Sequence, residues 1–155
     1  MLRRALLVFC AFAFAISAEG RKPHCTLRVH MEANAKDTAV FATQLRSPVT
    51  GRNIVIEKVP RISEQDVVAF YPYQAADGSY GVLFKLSDHG KLALDTLSVE
   101  RRGAFLYVFV NGRPVSELQI DRRVSDGRLY VASGLTANDL ALMRQDWRLM
   151  GQRKK

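Results

Sequence analysis

The chain offers little for metal ligation or thiol chemistry: three histidines and two cysteines in 155 residues. His24, Cys25 and His30 lie close together, where Cys25-Thr26-Leu27-Arg28-Val29-His30-Met31-Glu32 alternates apolar with polar. On a strand of that period His24 and His30 share one face and Cys25 points to the other. A tight zinc site needs three or four converging ligands, so the pattern predicts surface histidines and no metal. Cys25 with the distant His89 would make a nucleophile and base, but no thiol-enzyme signature surrounds Cys25. His89 follows Asp88 and reads as a first-turn helix residue. Asp121 adjoins Arg122 and Arg123, and Asp126 sits in a turn, so neither is singled out as a catalytic carboxylate. The chain carries no phosphate loop, no Gly-x-Ser-x-Gly, no His-Glu-x-x-His and no calcium loop. The expectation is a non-enzymatic protein with no catalytic residue, metal or cofactor.

Arg102-Gly103-Ala104-Phe105-Leu106-Tyr107-Val108-Phe109 opens like an RNA-recognition strand, but its aromatics stand in the wrong register for one. Nucleic acid is therefore not expected as a partner. Formal charge is nonetheless +8, and loss of Arg3 and Arg4 would leave 21 basic against 15 acidic residues, or +6. Such a balance favours anionic partners. Arg101, Arg102, Arg122 and Arg123 are the candidate basic patch. An anionic envelope lipid or polymer would be its ligand.

These residues must be carried by a scaffold, and its address is read at the N-terminus. Arg3-Arg4 precede an apolar run from Ala5 to Ile16, followed by the small residues Ser17, Ala18 and Gly20. Charge, apolar core and small-residue exit is the grammar of a cleaved signal peptide. The run falls short of the ~20 residues that span a bilayer. Residues 1–18 are expected to be the signal peptide, 19–24 a linker, 25–150 a single domain and 151–155 a basic tail. The mature chain is expected in the periplasm or secreted, without a transmembrane segment. Cys10 would leave with the signal, so Cys25 would stand alone. It can be buried as a small hydrophobe or pair with another chain.

Within the domain, Cys25–Glu32 reads as a strand and residues 34–52 as a loop. Asn53–Val59, Gln65–Tyr73 and Tyr80–Leu86 are further strand candidates. The period then changes. Ser87 is a good N-cap for a helix from about Asp88 to Arg101, ended by Gly103. Ala104–Val110 and Arg113–Ile120 flank Asn111-Gly112, a strong hairpin signal. Arg128–Ala132 is a short strand, and Thr136 with Asp139 opens a last helix running to about Leu149. Leu94, Leu97, Leu140, Met143 and Trp147 are its and its partner helix's core residues. This is an α+β domain with a mixed or antiparallel sheet and two helices on one face.

A two-residue hairpin loop pairs Val110 with Arg113, Val108 with Val115 and Leu106 with Glu117. That register predicts Phe105, Tyr107 and Phe109 against the helices. Val108, Val110 and Val115 are then left as a partly open interaction patch for polypeptide or for self-association.

The stretch Gly81–Met143 resembles the head of the first periplasmic domain of the SecD and SecDF protein-export subunits. The carrying residues are Phe84-Lys85-Leu86-Ser87-Asp88-His89-Gly90, then Phe105–Arg113, Ile120, Asp126-Gly127-Arg128, Gly134-Leu135-Thr136 and Asp139-Leu140-Ala141. The resemblance implies an extracytoplasmic, ferredoxin-like fold that engages polypeptide through a sheet face or edge. An envelope enzyme built around His30 or His89 and a carboxylate is the competing expectation, beside the anionic-ligand one. N-terminal sequencing of protein from its native host tests the address: the mature chain should begin between Ile16 and Arg21.

Overall fold

The computed structural model describes residues 22–152 except Ala35, Thr38 and Pro48. The expected signal peptide and the last three residues of the basic tail lie outside the described residues. Ten strands and two helices follow one another. β1 (Leu27–Met31), β2 (Ala42–Arg46), β3 (Asn53–Glu57) and β4 (Ile62–Ser63) precede a 3-10 turn at Glu64–Asp66. β5 (Val67–Gln74), β6 (Tyr80–Leu86), α1 (Asp88–Glu100), β7 (Phe105–Val110) and β8 (Arg113–Gln119) come next. β9 (Arg128–Leu135), α2 (Ala137–Asp146) and β10 (Arg148–Leu149) complete the chain. None of the described helices is long and apolar enough to cross a membrane.

Two four-stranded sheets result, in the orders β4-β1-β7-β8 and β10-β5-β6-β9, with β2-β3 as a separate hairpin. The fold is α+β, with one hydrophobic core fed by the inward faces of both sheets and by both helices. Leu27, Val29 and Met31 of β1 lie opposite Val110, Val108 and Leu106 of β7. Val82 and Phe84 of β6 face inward with Leu129 and Val131 of β9, all buried. Leu94, Leu97, Leu140 and Met143 close the core from the helices.

Local chemistry accounts for most boundaries. The Ser87 side chain accepts from Gly90 N–H to start α1. Thr136 and Asp139 form a reciprocal capping box at α2. Asn111 takes φ +50° and Gly112 φ +75°, the left-handed pair a tight hairpin demands.

The hairpin nevertheless departs from the simple register. Val110 pairs with Arg113 and Phe109 with Pro114, but Val108 pairs with Ser116 and Leu106 with Leu118. A β-bulge absorbs Val115 as an extra residue, and beyond it every partner is displaced by one. The face expectation is reversed as well, and burial shows it. Val108 and Val110 are wholly buried, Leu106 nearly so, and Val115 is partly buried against the core. Core pairing with β1 claims the aliphatic set, so the proposed patch Val108–Val110–Val115 is interior.

Phe105, Tyr107 and Phe109 fall on the opposite face of β7, and the hairpin of β2 and β3 lies across Tyr107. Tyr107 lies in register with His30 on one side and Glu117 on the other. His30 Nδ1 is 2.8 Å from the Glu57 carbonyl, and the Ser47 hydroxyl donates to Glu117. The hairpin thus straddles Tyr107, which is only 4% exposed. β2 falls in the stretch read as a loop; it has one buried residue, Ala42, so no apolar period marks it. The last helix is also shorter than its sequence pattern. It stops at Asp146, Trp147 turns extended, and Arg148-Leu149 pair in parallel with Ala69-Phe70 of β5.

Trp147 makes edge-to-face contacts with Phe70 and Phe84, at 6.4 and 5.9 Å between ring centroids. It anchors the point where helix becomes strand. Trp147→Ala should cost about 3–5 kcal/mol in denaturant unfolding, the range of large core truncations; under about 1 kcal/mol would mean the C-terminal segment is not docked.

Candidate functional site

Three small clusters of titratable groups are built around buried or half-buried aspartates, and each is engaged in holding the fold. Asp146 accepts from the His24 and Cys25 backbone N–H groups at 2.6 and 2.8 Å, and His24 Nδ1 lies 2.8 Å from its other oxygen. Cys25 is fully buried. Burial, aided by the negative charges of Asp139 and Asp146, pushes its thiol up to about 12. A thiol so protonated is a poor nucleophile at neutral pH. His89, the distant imidazole weighed as its base, pairs with Asp66 at 2.7 Å. Asp66 also accepts from the Ser63 backbone N–H at 2.8 Å.

The third cluster is the most connected. Asp139 is buried and accepts from Thr136 N–H, the Thr136 hydroxyl, Asn111 Nδ2 and Arg113 Nη2, at 2.9, 2.8, 2.8 and 2.6 Å. Burial alone would raise its pKa. The Thr136 and Asn111 hydrogen bonds and the Arg113 charge outweigh that and hold the carboxyl below its usual range. Among the described residues, no three His, Cys, Asp or Glu side chains are placed to hold a metal ion.

Two of the four arginines of the expected basic patch are engaged by the protein itself. Arg101 donates to the Glu32 carbonyl at 2.9 Å and approaches Glu57 at 3.7 Å. Arg123 grips Asp95 through two nitrogens, at 2.6 and 2.8 Å. Arg102 and Arg122 are exposed.

One concavity is a cleft of about 660 Å³. It opens beside the 120–127 connection, where β8 and β9 part. Both are edge strands, paired on one side only. They converge at their other end, where a Cβ on Gly134 would stand 3.1 Å from the Val115 carbonyl oxygen. The space between them is lined by Leu94, Leu106, Leu118 and Leu129 from the inward side and by Leu83 and Tyr130 from the outward side. Leu83 is outward because it pairs with exposed Tyr71 and Tyr130. Arg122, Arg123, Asp121, Asp126 and Arg128 form the rim. Of the residues singled out in the sequence, only Arg122 and Arg123 reach this cleft. Its leucines are individually ordinary core positions, and only the splay of two edges makes them a site.

No protein-family model matches the chain, and no curated protein matches it in sequence. Solved structures do. One, described as the structure and function of a membrane component SecDF that enhances protein export, superposes with TM-score 0.55 at 13% identity. The match covers 84% of this chain and 69% of that one. The chain has the SecDF periplasmic-domain fold. A second match, SecDF in its super-membrane-facing form, gives TM-score 0.56 at 12% identity over 83% of this chain. It spans 20% of that chain, so the likeness to SecDF is one of domain architecture.

The depressed Asp139 carboxyl makes a pH prediction. A group whose folded pKa lies below its unfolded one stabilises fully above the unfolded value and loses that contribution as pH falls through the folded one. Urea unfolding should show stability falling from roughly pH 4 downward. Asp139→Asn should be less stable at pH 7 and fall less steeply in acid. Some slope should persist, because Asp146 is depressed too: burial would raise it, but hydrogen bonds from His24 and Cys25 outweigh that.

Proposed function

We propose that this protein is an exported, non-enzymatic module that holds an extended polypeptide segment in the cleft between β8 and β9. The observation that carries the reading is two edge strands diverging over an apolar floor. A strand paired on one side leaves half its N–H and C=O groups free to pair with another chain. Such an edge gives an added strand main-chain hydrogen bonds, while neighbouring pockets take alternate side chains. Leu106, Leu118 and Leu129 are the surface those side chains would meet.

The SecDF periplasmic-domain fold supports the same direction, since one such structure is described as a component that enhances protein export. The Arg3-Arg4 and Ala5–Ile16 pattern supports placement outside the cytoplasm. The engagement of Asp66, Asp139 and Asp146 in holding the backbone supports a binding role over a catalytic one.

The test is binding of a fluorescein-labelled, reduced and carboxymethylated polypeptide, followed by anisotropy. Leu118→Asp should weaken binding by about tenfold or more. Ser125→Trp, which fills the cleft mouth from an exposed position, should do the same if Leu118→Asp disturbs folding. Val99→Asp, on an exposed helix position, should change nothing. Unaltered affinity in both cleft variants would move the site elsewhere, and no measurable binding by the parent protein would sink the reading.

A further inference from the structure

The outward face of the sheet β10-β5-β6-β9 carries exposed tyrosines and basic residues. Its side chains fall into cross-strand rows. Tyr71, Leu83 and Tyr130 are in register across β5, β6 and β9. Tyr71 and Tyr130 are 55% and 54% exposed. Two residues along the strands, Arg148, Ala69, Lys85 and Arg128 form a second row across all four strands. Its three basic members are exposed, and the row holds no acidic residue. The nearest acid to Arg128 is Asp126, at 4.0 Å.

A third tyrosine completes the floor. A Cβ on Gly81 would meet the Tyr73 ring at 2.1 Å, so that ring lies flat across the sheet in the space a glycine leaves. Its hydroxyl is 2.9 Å from the carbonyl oxygens of both Val131 and Ala132. Tyr130 lies parallel to it, 7° between planes and 5.6 Å between centroids. Tyr73 and Tyr130 are thus held before any ligand arrives, which lowers the ordering cost of binding.

We infer that this face binds a linear anionic polysaccharide, its sugar rings resting on Tyr71 and on the stacked Tyr73–Tyr130 pair and its carboxylates meeting Lys85, Arg128 and Arg148. Flat aromatic faces attract the polarised C–H groups of a pyranose as they attract other positive edges. Tyr71 and Tyr130 stand two strand spacings apart, about 10 Å, the length of two linked sugar rings. The basic row runs parallel at the neighbouring outward position, where acidic substituents of such a chain would project. Stacking surfaces flanked by basic residues also suit single-stranded nucleic acid. The choice of polysaccharide rests on the exported reading proposed above.

The experiment titrates the mature protein with an oligogalacturonate, with a neutral glucan oligomer of the same length and with oligo-dT. The oligogalacturonate should bind, more weakly as salt rises, and the neutral oligomer should bind at least about tenfold less tightly. Tyr71→Ala and Lys85→Glu, neither of which lines the cleft, should each reduce oligogalacturonate affinity about tenfold with the fold unchanged by circular dichroism. Leu118→Asp, on the far side of the cleft from Tyr130 and Arg128, which border both sites, should leave it intact, and this separates the two readings. Tighter binding of oligo-dT would overturn the inference. So would absence of oligogalacturonate binding, or binding that ignores either Tyr71→Ala or Lys85→Glu.

Discussion

One carboxylate ties the two halves of this fold together. Asp139 begins α2, yet two of its four partners, Asn111 and Arg113, belong to the β7-β8 hairpin. Asn111 in turn exchanges hydrogen bonds with Thr26 at the head of β1: its N–H reaches the Thr26 carbonyl at 3.0 Å, and its Oδ1 accepts from Thr26 N–H at 3.1 Å. The turn residue is therefore a three-way junction of first sheet, hairpin and second helix. A buried carboxylate is tolerated only when its oxygens are filled, and here the filling partners come from separate elements. Further along α2, Asp146 repeats the device by accepting from His24 and Cys25, which pins the entry to β1.

With the hairpin tip held there, the bulge at Val115 decides what lies open. An extra residue bends the strand that carries it and strengthens its twist. β8 touches β9 beside Gly134, whose φ of +92° and missing side chain allow the Val115 carbonyl to approach. Farther along, the strands diverge and the cleft appears between them. A Cβ at Gly134 would oppose both the backbone angle and that contact. The cleft is thus a consequence of local covalent geometry at two positions, Val115 and Gly134.

What was legible in the sequence followed from residues whose role is local. Ser87, the Thr136–Asp139 pair and Asn111-Gly112 act on backbone within three residues, and their elements stand where those residues put them. The α+β class and the likeness to SecDF rested on that order of elements and are shared by the structure. Features set by distant partners were not legible. Nothing in Arg113–Gln119 announces that Val115 will be the unpaired residue, and a single displaced register moves an entire face. The one usable signal was in β1: its apolar set Leu27, Val29 and Met31 needs aliphatic partners across the ladder, and Leu106, Val108 and Val110 supply them. β2 escaped because four of its five residues are not buried, and β10 because Trp147 ends a helix by packing on Phe70 and Phe84.

The two sheets treat their outward faces in opposite ways, and the difference lies in side-chain chemistry. The first sheet turns Phe105, Tyr107 and Phe109 outward, and the hairpin of β2 and β3 is bonded across Tyr107 at both ends. Tyr107 there is desolvated enough to push its phenol up to about 12, with Glu32 and Glu117 adding to the rise. The second sheet also turns three tyrosines outward, but among the described residues no strand is folded across them. Two devices make its open face compatible with water. Tyr73 buries one side of its ring over Gly81 and satisfies its hydroxyl on backbone carbonyls. Lys85, Arg128 and Arg148 then place a charged row beside the aromatic one, which interrupts the apolar surface before it becomes a patch that must be covered. A face that needed only burial would have been aliphatic, like β1 and β7. Tyr73, with its hydroxyl directed along the sheet, and one cross-strand row of basic residues keep the neighbouring tyrosine rings accessible.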